Sequence, residues 1–279
     1  MNHIRMIALD LDGTLLSRDH ETLSAANRAA LTAAAARGIE VVVATGRSVS
    51  AVAQQVLALP FVRYFITCNG SAITNRAGDI LRSAPLDTDV ARKILEHLTP
   101  DPRFVVQLCA NQRMIVAQKD WDRRVELRIP SFHLRAFTSG SGLVVADLLE
   151  YARDEGISIE KINLPYLPPE EKENLRRWVQ QNYGANTRMV STMECNLEIN
   201  DHLASKGWGL LQICDYLKIP ASQCIAFGDA DNDIEMLQNA GIGVAMGNAI
   251  EITKKAADYV TRPNYEDGVA LAMRHFRIP

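Results

Sequence analysis

The chain has 279 residues, 47% of them hydrophobic and 23% charged, with a formal net charge of −3. That length suits one large domain or two ordinary ones, and no apolar run approaches the roughly 20 residues that span a bilayer. The mild negative charge, without any basic cluster interleaved with aromatics, argues against a general nucleic-acid binder.

The opening "MNHIRMIALDLDG" lacks the long apolar stretch and small-residue cleavage site of a secretory signal. Five scattered cysteines form no C-x-x-C pair, so zinc and redox motifs find no support and the thiols read as small hydrophobes. A reduced, cytoplasmic protein is expected.

In chain order, "RMIALDLD" is a strand of nearly continuous apolar character, as expected when helices cover both faces. "SAANRAALTAAAARG" is a helix, with Ser24 as its N-cap and Gly38 where a left-handed C-cap falls. "IEVVVAT" (39–45) is a second buried strand, "SVSAVAQQVLAL" a second helix ended by Pro60, and "RYFITCNG" a third strand. Strand and helix alternating in this way predict a parallel α/β sheet.

From about residue 72 the rhythm changes. "AITNRAGDILRSA" reads as a hairpin, "DTDVARKILEHL" as a helix, and "RFVVQLCANQRMIVAQ" as two strands around Asn111-Gln112. Residues 119–156 give no clear periodicity. A strand over 157–167, the helix "PPEEKENLRRWVQQNY" and the strands "TRMVST" and "NLEIN" follow. The alternation then resumes with "SKGWGLLQICDYL" (helix), "QCIAFGD" (strand), "NDIEMLQNAG" (helix), "IGVAMG", "AIEITKKAA", "DYVT" and a last helix over "EDGVALAMRHF". The expectation is a discontinuous α/β core over 1–84 and 196–279, interrupted by a smaller α+β domain over 85–195.

Ligands of open α/β sheets bind at the carboxyl ends of the strands. Here strand 1 ends in Asp10 and Asp12, strand 2 in Thr45-Gly46-Arg47, and a later strand in Gly228-Asp229; Asn232 and Asp233 open the next helix, and Lys206 begins another. Three carboxylates facing one point demand a hard cation with oxygen ligands, and Mg2+ fits best. A hydroxyl, a lysine and free helix N–H groups suit a phosphate. A carboxylate beside a metal-bound phosphate can act as nucleophile, with a second carboxylate as general acid and base. Gly13 lets the chain turn sharply and brings backbone N–H groups close to phosphoryl oxygens. Each residue also has a plainer reading: Thr45 could cap the helix starting near Ser48, Asn232 could be a plain N-cap, and Asn69-Gly70 an ordinary turn. Lys206, however, sits at a helix start, an unfavourable place for a cation unless an anion is bound there.

"DLDGTL" (10–15), "ATGR" (44–47), "SKG" (205–207) and "GDADND" (228–233) resemble, in order, the four motifs of the haloacid dehalogenase superfamily. "GVAMGNA" (243–249) and "ADYVT" (257–261) are similar to its Cof-type phosphatases. The resemblance implies a Rossmann-like parallel-sheet core with an α+β cap. It implies that Asp10 attacks phosphorus, and that Asp12 protonates the leaving alcohol and then activates water. Mg2+ would be held by the Asp10 carboxylate, the Asp12 carbonyl and Asp229. The Leu11 backbone, Thr45, Gly46, Lys206 and Asn232 would grip the phosphate, with Asp233 orienting Lys206 or a metal-bound water. Arg47 and Asn69 are possible substrate contacts; Trp121, His133, Asn163 and Glu194 in the middle block are weaker ones. The about 30 residues between "DLDGT" and "TGR" hold only one helix and one strand, whereas the gap from Thr45 to Lys206 holds the α+β block. That placement resembles subclass IIB, whose lid would exclude water.

The implied function is a Mg2+-dependent phosphatase of small phosphorylated metabolites, sugar phosphates foremost. Phosphorylated cofactors or precursors (pyridoxal phosphate, HMP-pyrophosphate, a flavin precursor) are the alternative. Neither nucleic acid nor membrane is an expected partner, and the sequence carries no signal of oligomeric state. Two readings of another class compete, a phospho-aspartate signalling module and a silent binding protein. The D-x-D spacing and the large insertion weigh against the first, and intact Asp10 and Asp12 against the second. A nucleotide-cofactor oxidoreductase would want G-x-G-x-x-G after strand 1, where the chain reads "DLDGTL".

Overall fold

The structure, a computed structural model, describes residues 4–127, 129, 131–154, 156–191 and 194–279, without the side chains of residues 131–133 and 135. The His133 side chain therefore lies outside the described residues. Strands in chain order are β1 (Met6–Leu9), β2 (Glu40–Ala44), β3 (Val62–Thr67), β4 (Ala72–Asn75), β5 (Ile80–Ser83), β6 (Gln107–Ala110) and β7 (Arg113–Ala117). They continue with β8 (Leu143–Val145), β9 (Ile159–Leu164), β10 (Thr187–Val190), β11 (Leu197–Asp201), β12 (Cys224–Gly228), β13 (Ile242–Ala245) and β14 (Tyr259–Val260).

The chain divides into two compact units. The first takes residues up to Gly46, Val52–Arg82 and Ser205–Pro279. Its sheet has the order β14-β13-β12-β1-β2-β3-β4-β5, parallel from β14 to β3 and antiparallel between β3 and β4. All four residues of β1 are 0% exposed, which is why the strand reads as unbroken apolar sequence. Met6, Ala8, Val42, Ala44 and Ala226 pack with Leu210 and Ile213 of the helix Lys206–Leu217. Each large aliphatic side chain so buried contributes roughly 1.5–3 kcal/mol. The helix Ala25–Ala36 starts where expected: the Ser24 hydroxyl accepts from Asn27 N–H. Gly38 is left-handed (φ 80°) after it.

The second unit comprises Arg47–Ala51 and Ser83–Ala204. Its sheet has the order β10-β11-β9-β6-β7-β8, antiparallel except for the β7–β8 pair. Leu108, Ile115, Ile162, Leu197 and Ile199 form its core with Ile94, Leu98 and Leu175 of the covering helices. Because Leu197 and Ile199 are buried there, β11 belongs to this unit, which runs past residue 195 to Ala204.

The helix expected over 48–59 is broken. A single 3-10 turn (Val49–Ala51) and a short helix (Gln54–Leu57) flank Ala53, whose ψ of 136° is extended. Val49–Ala51 groups with the second unit, so tertiary contacts override the local helical pattern.

Candidate active site

The chain runs from β1 to β2 and β3 on one side of the first sheet, whereas β12, β13 and β14 lie on the other side. The strand order therefore reverses between β1 and β12, the crevice position that open α/β sheets use for ligands. Register aligns the ends: Leu9 pairs with Phe227 and with Val43. Asp10, Thr45 and Asp229 thus leave one edge of the sheet together.

Beyond β1 the chain makes a wide turn closed by Leu16 N–H donating to the Leu11 carbonyl at 2.9 Å. Gly13 sits in it at φ 81°, and a Cβ there would collide with the Asp229 carboxylate. Glycine is required twice over, for the left-handed backbone and for the close approach. Asn248 Nδ2 donates to the Gly13 carbonyl at 2.8 Å, and Asn264 Nδ2 to the Leu16 carbonyl at 2.7 Å. Asn248 also accepts from Asn264 N–H at 2.9 Å, so the two amides brace the turn together.

Lys206, 2% exposed, donates from Nζ to Asp10 Oδ1 at 2.7 Å and to Asp233 Oδ1 at 2.6 Å. Ser205 caps its helix by accepting from Trp208 N–H at 2.9 Å. Asp233 Oδ2 accepts from the N–H groups of Asp229 (2.9 Å) and Ala230 (3.0 Å), so both of its oxygens are engaged. Asp229 Oδ1 accepts from Thr14 Oγ1 at 2.8 Å. Carboxylate oxygens of Asp10, Asp229 and Asp233 lie within 4.8 Å of one another.

Three carboxylates and one ammonium leave an excess of negative charge. Burial alone would lower the Lys206 ammonium, but Asp10 and Asp233 more than reverse this and keep it protonated. Asp10 is pushed well above the usual carboxylate range, first by burial and then by Asp233, Asp229 and Asp12, against the pull of Lys206. Asp229 rises to about 6, through burial and then the charge of Asp233. The Asp10 and Asp229 carboxylates thus face each other as like charges at close range, an arrangement that a proton or a cation offsets. The donor set, all hard oxygen, fits a divalent cation.

Thr45 is fully buried; its N–H donates to the Ile66 carbonyl at 2.8 Å and its carbonyl accepts from Asn69 N–H at 3.1 Å. Cys68, Asn69 and Gly70 follow β3 with φ of 51°, 60° and 102°. A Cβ at Gly70 would strike the Ser205 carbonyl, so this left-handed corner packs directly on the cap of the lysine helix. Asn69 is 1% exposed, and its Oδ1 accepts from Asn232 Nδ2 at 3.2 Å. Asn232 Oδ1 is buried without a hydrogen-bond partner among the described residues. Leu11 is buried in the turn and Gly46 ends the first of the three segments that make up the first unit. Arg47 falls in the second unit, where its guanidinium donates to the Ala51 carbonyl at 3.1 Å.

Asp12 is half-exposed, and its Oδ1 lies 2.8 Å from His20 Nδ1. Of the weaker candidates, Asn163 donates to Gln107 Oε1 at 2.9 Å within the second sheet, and Trp121 packs on Phe137. The Glu194 carbonyl accepts from Lys172. Sequence reasoning missed His20, Thr14, Asn248 and Asn264. The last three had a signal, lying in or near motifs that end at the same sheet edge, but His20 had none.

The model of the haloacid dehalogenase-like hydrolases matches residues 7–273, and the chain belongs to this family. Phosphatase YwpJ of Bacillus subtilis (strain 168) is 32% identical, over 98% of this chain and 99% of its own length. The same organism's 5-amino-6-(5-phospho-D-ribitylamino)uracil phosphatase YcsE is 30% identical, over 98% and 96%. A solved haloacid dehalogenase-like hydrolase from B. subtilis superposes with a TM-score of 0.81 at 31% identity, covering 98% of this chain and 99% of that one. No helix among the described residues is long and apolar enough to cross a membrane.

Proposed function

We propose that this phosphoric monoester hydrolase is a Mg2+-dependent phosphatase of small phosphorylated metabolites, with sugar phosphates favoured, working through an aspartyl phosphate on Asp10. The observation that carries the reading is the meeting of Asp10, Asp229, Asp233 and Lys206 at the sheet's switch point, with more carboxylate than ammonium. The Asp10 and Asp229 carboxylates and the Asp12 carbonyl would hold Mg2+. When bound, the ion neutralises the carboxylate excess and the charge of the phosphoryl oxygens.

An Asp10 oxygen attacks phosphorus while the bond from phosphorus to the leaving oxygen breaks, and Asp12 gives its proton to that oxygen. Asp12 then takes a proton from water, whose oxygen attacks the same phosphorus and releases inorganic phosphate and the Asp10 carboxylate. Lys206, Thr45, Gly46, the Leu11 backbone and Asn232 grip the phosphate; flipping the Asn69 and Asn232 amides together would turn the Asn232 Nδ2 to its unpartnered side. Asp233, with both oxygens engaged, orients Lys206. Asn69 acts beside them, and Arg47 belongs to the proposed cap. In this reading the first unit is the catalytic core and the second a C2-type cap that selects the substrate. Five free thiols suit a cytoplasmic setting.

A second reading follows from the relative named as a phospho-D-ribitylaminouracil phosphatase: a phosphorylated polyol carried on a heterocycle. The test is a panel of phosphorylated metabolites ranked by kcat/KM with Mg2+. Metal-dependent turnover highest on hexose or pentose phosphates is expected. Highest turnover on a ribityl-pyrimidine phosphate would favour the second reading, and turnover undiminished by EDTA would reject the metal.

A further inference from the structure

We propose that His20 is a positioning residue for Asp12, holding one carboxyl oxygen so that the other meets the leaving group. The inference rests on the reading of Asp12 as the general acid. Its basis is the 2.8 Å contact between His20 Nδ1 and Asp12 Oδ1, made from the tip of a turn that follows the nucleophile loop.

The turn is built to present that ring. Leu16 and Leu23 form an isolated antiparallel bridge, Ser17 N–H donates to the Thr22 carbonyl at 2.9 Å, and His20 N–H to the Ser17 carbonyl at 2.9 Å. Asp19 Oδ1 accepts from the N–H groups of Glu21 (3.0 Å) and Thr22 (2.9 Å). Arg18 lies over the Tyr265 ring, 4.0 Å from its centroid, tying the turn to the rest of the unit. Within this frame His20 itself adopts φ 58°. A left-handed non-glycine residue is uncommon and persists where its surroundings over-determine it. At an exposed turn tip, glycine or asparagine would meet the backbone need more readily. Histidine there adds a ring nitrogen, Nδ1, 2.8 Å from Asp12 Oδ1, which neither glycine nor asparagine would place in the same way.

The chemistry needs such a holder. A half-exposed carboxyl on a turn can rotate about its last bond, and proton transfer requires the correct oxygen within hydrogen-bond reach of the leaving oxygen. With His20 Nδ1–H on Oδ1, the acid's proton sits on Oδ2. As the bond from phosphorus to the leaving oxygen breaks, that proton passes from Oδ2 to the departing oxygen, and Asp12 becomes a carboxylate still held by His20. The benefit falls on leaving groups that need protonation. Alkoxides do; p-nitrophenolate, a weak base, departs with little help.

The experiment measures kcat/KM, which reports the steps through phosphoryl transfer to Asp10, on p-nitrophenyl phosphate and on a hexose 6-phosphate. His20→Gly favours the left-handed backbone but removes the ring, so a loss there cannot be blamed on the turn. The expected result is a loss at least about tenfold larger on the alkyl ester than on the aryl ester for His20→Gly and His20→Ala. His20→Asn, which tolerates the same backbone and keeps an amide donor, should recover most of it. Equal losses on the two esters, or an alkyl-ester rate unchanged in both variants, would overturn the inference. Asp12→Asn is measured alongside. If it too loses equally on both esters, the reading of Asp12 as the acid fails. If Asp12→Asn discriminates and His20→Gly does not, only the role of His20 falls.

Discussion

Buried charge is handled in opposite ways in the two units. In the second, Lys161 pairs with Glu198 at 3.0 Å, both about 5% exposed, beside the neutral Gln107–Asn163 amide pair. In the first, Asp10 and Asp233 both pair with Lys206 while Asp229 stands in the same cluster, and Asp10 and Asp229 are pushed up in pKa. A matched pair satisfies the fold by itself. An excess of one sign is stable only with a proton or a ligand to offset it, which is the ground for the proposed site at this cluster.

The sharpest way to break that contrast is Asp10→Asn. It should lower turnover by more than about 10³-fold, because the attacking oxygen is lost. It should also leave the metal-free protein as stable as the parent or more so, because one excess charge is removed. Melting with and without Mg2+ checks the second half: the parent should gain stability with the ion and the variant much less. A variant that melts far below the metal-free parent would mean the carboxylates are structural, like the pair in the second unit.

Gly13→Ala comes next. The left-handed backbone and the collision with Asp229 together predict about 3 kcal/mol of lost stability, read by denaturant unfolding, with turnover falling alongside. A tolerated alanine would show that the turn does not press on Asp229.

Glu160 sharpens the comparison from the other side, because among the described residues it is a buried carboxyl of the second unit whose N–H partner, Gln112, is neutral. Burial pushes Glu160 up to about 7, opposed by the N–H of Gln112. Its folded pKa is above the unfolded one, so the associated stability is fully present below the unfolded value and is lost as pH rises through about 7. The loss amounts to about 2–3 kcal/mol between pH 5 and 8. Glu160→Gln should flatten that slope in melting curves; a slope unchanged in the variant would assign the titration elsewhere.

The smallest effect is expected at the matched pair. Replacing Lys161 and Glu198 together by methionines should change stability by only about 1 kcal/mol, whereas Lys161→Met alone should lose about 3 kcal/mol or more. A double variant as unstable as the single one would mean that the pair is not balanced by itself.

What the sequence made legible follows from periodicity. Unbroken apolar runs identify β1, β2 and β12 as parallel strands, and their ends carry Asp10, Thr45 and Asp229 to one edge. The reversal of strand order that makes this edge a crevice depends on β12 pairing with β1, which a linear pattern does not state. β11 shows the same limit: alternation in "NLEIN" tells which residues face a core, not that the core is the second unit's. The stretch 119–156 gave no pattern because its helices Gln118–Asp122, Ser131–Thr138 and Leu148–Tyr151 and its strand β8 are too short for a period to accumulate. His20 was invisible because its reach to Asp12 depends on a left-handed turn that neither residue encodes alone.

The most direct measurement is to quench the turning-over enzyme in acid with a phosphate-labelled substrate and map the labelled peptide. A base-labile acyl phosphate is expected on the peptide bearing Asp10 and is expected to be absent from Asp10→Asn. Full turnover with no labelled peptide, or label carried by another residue, would contradict it.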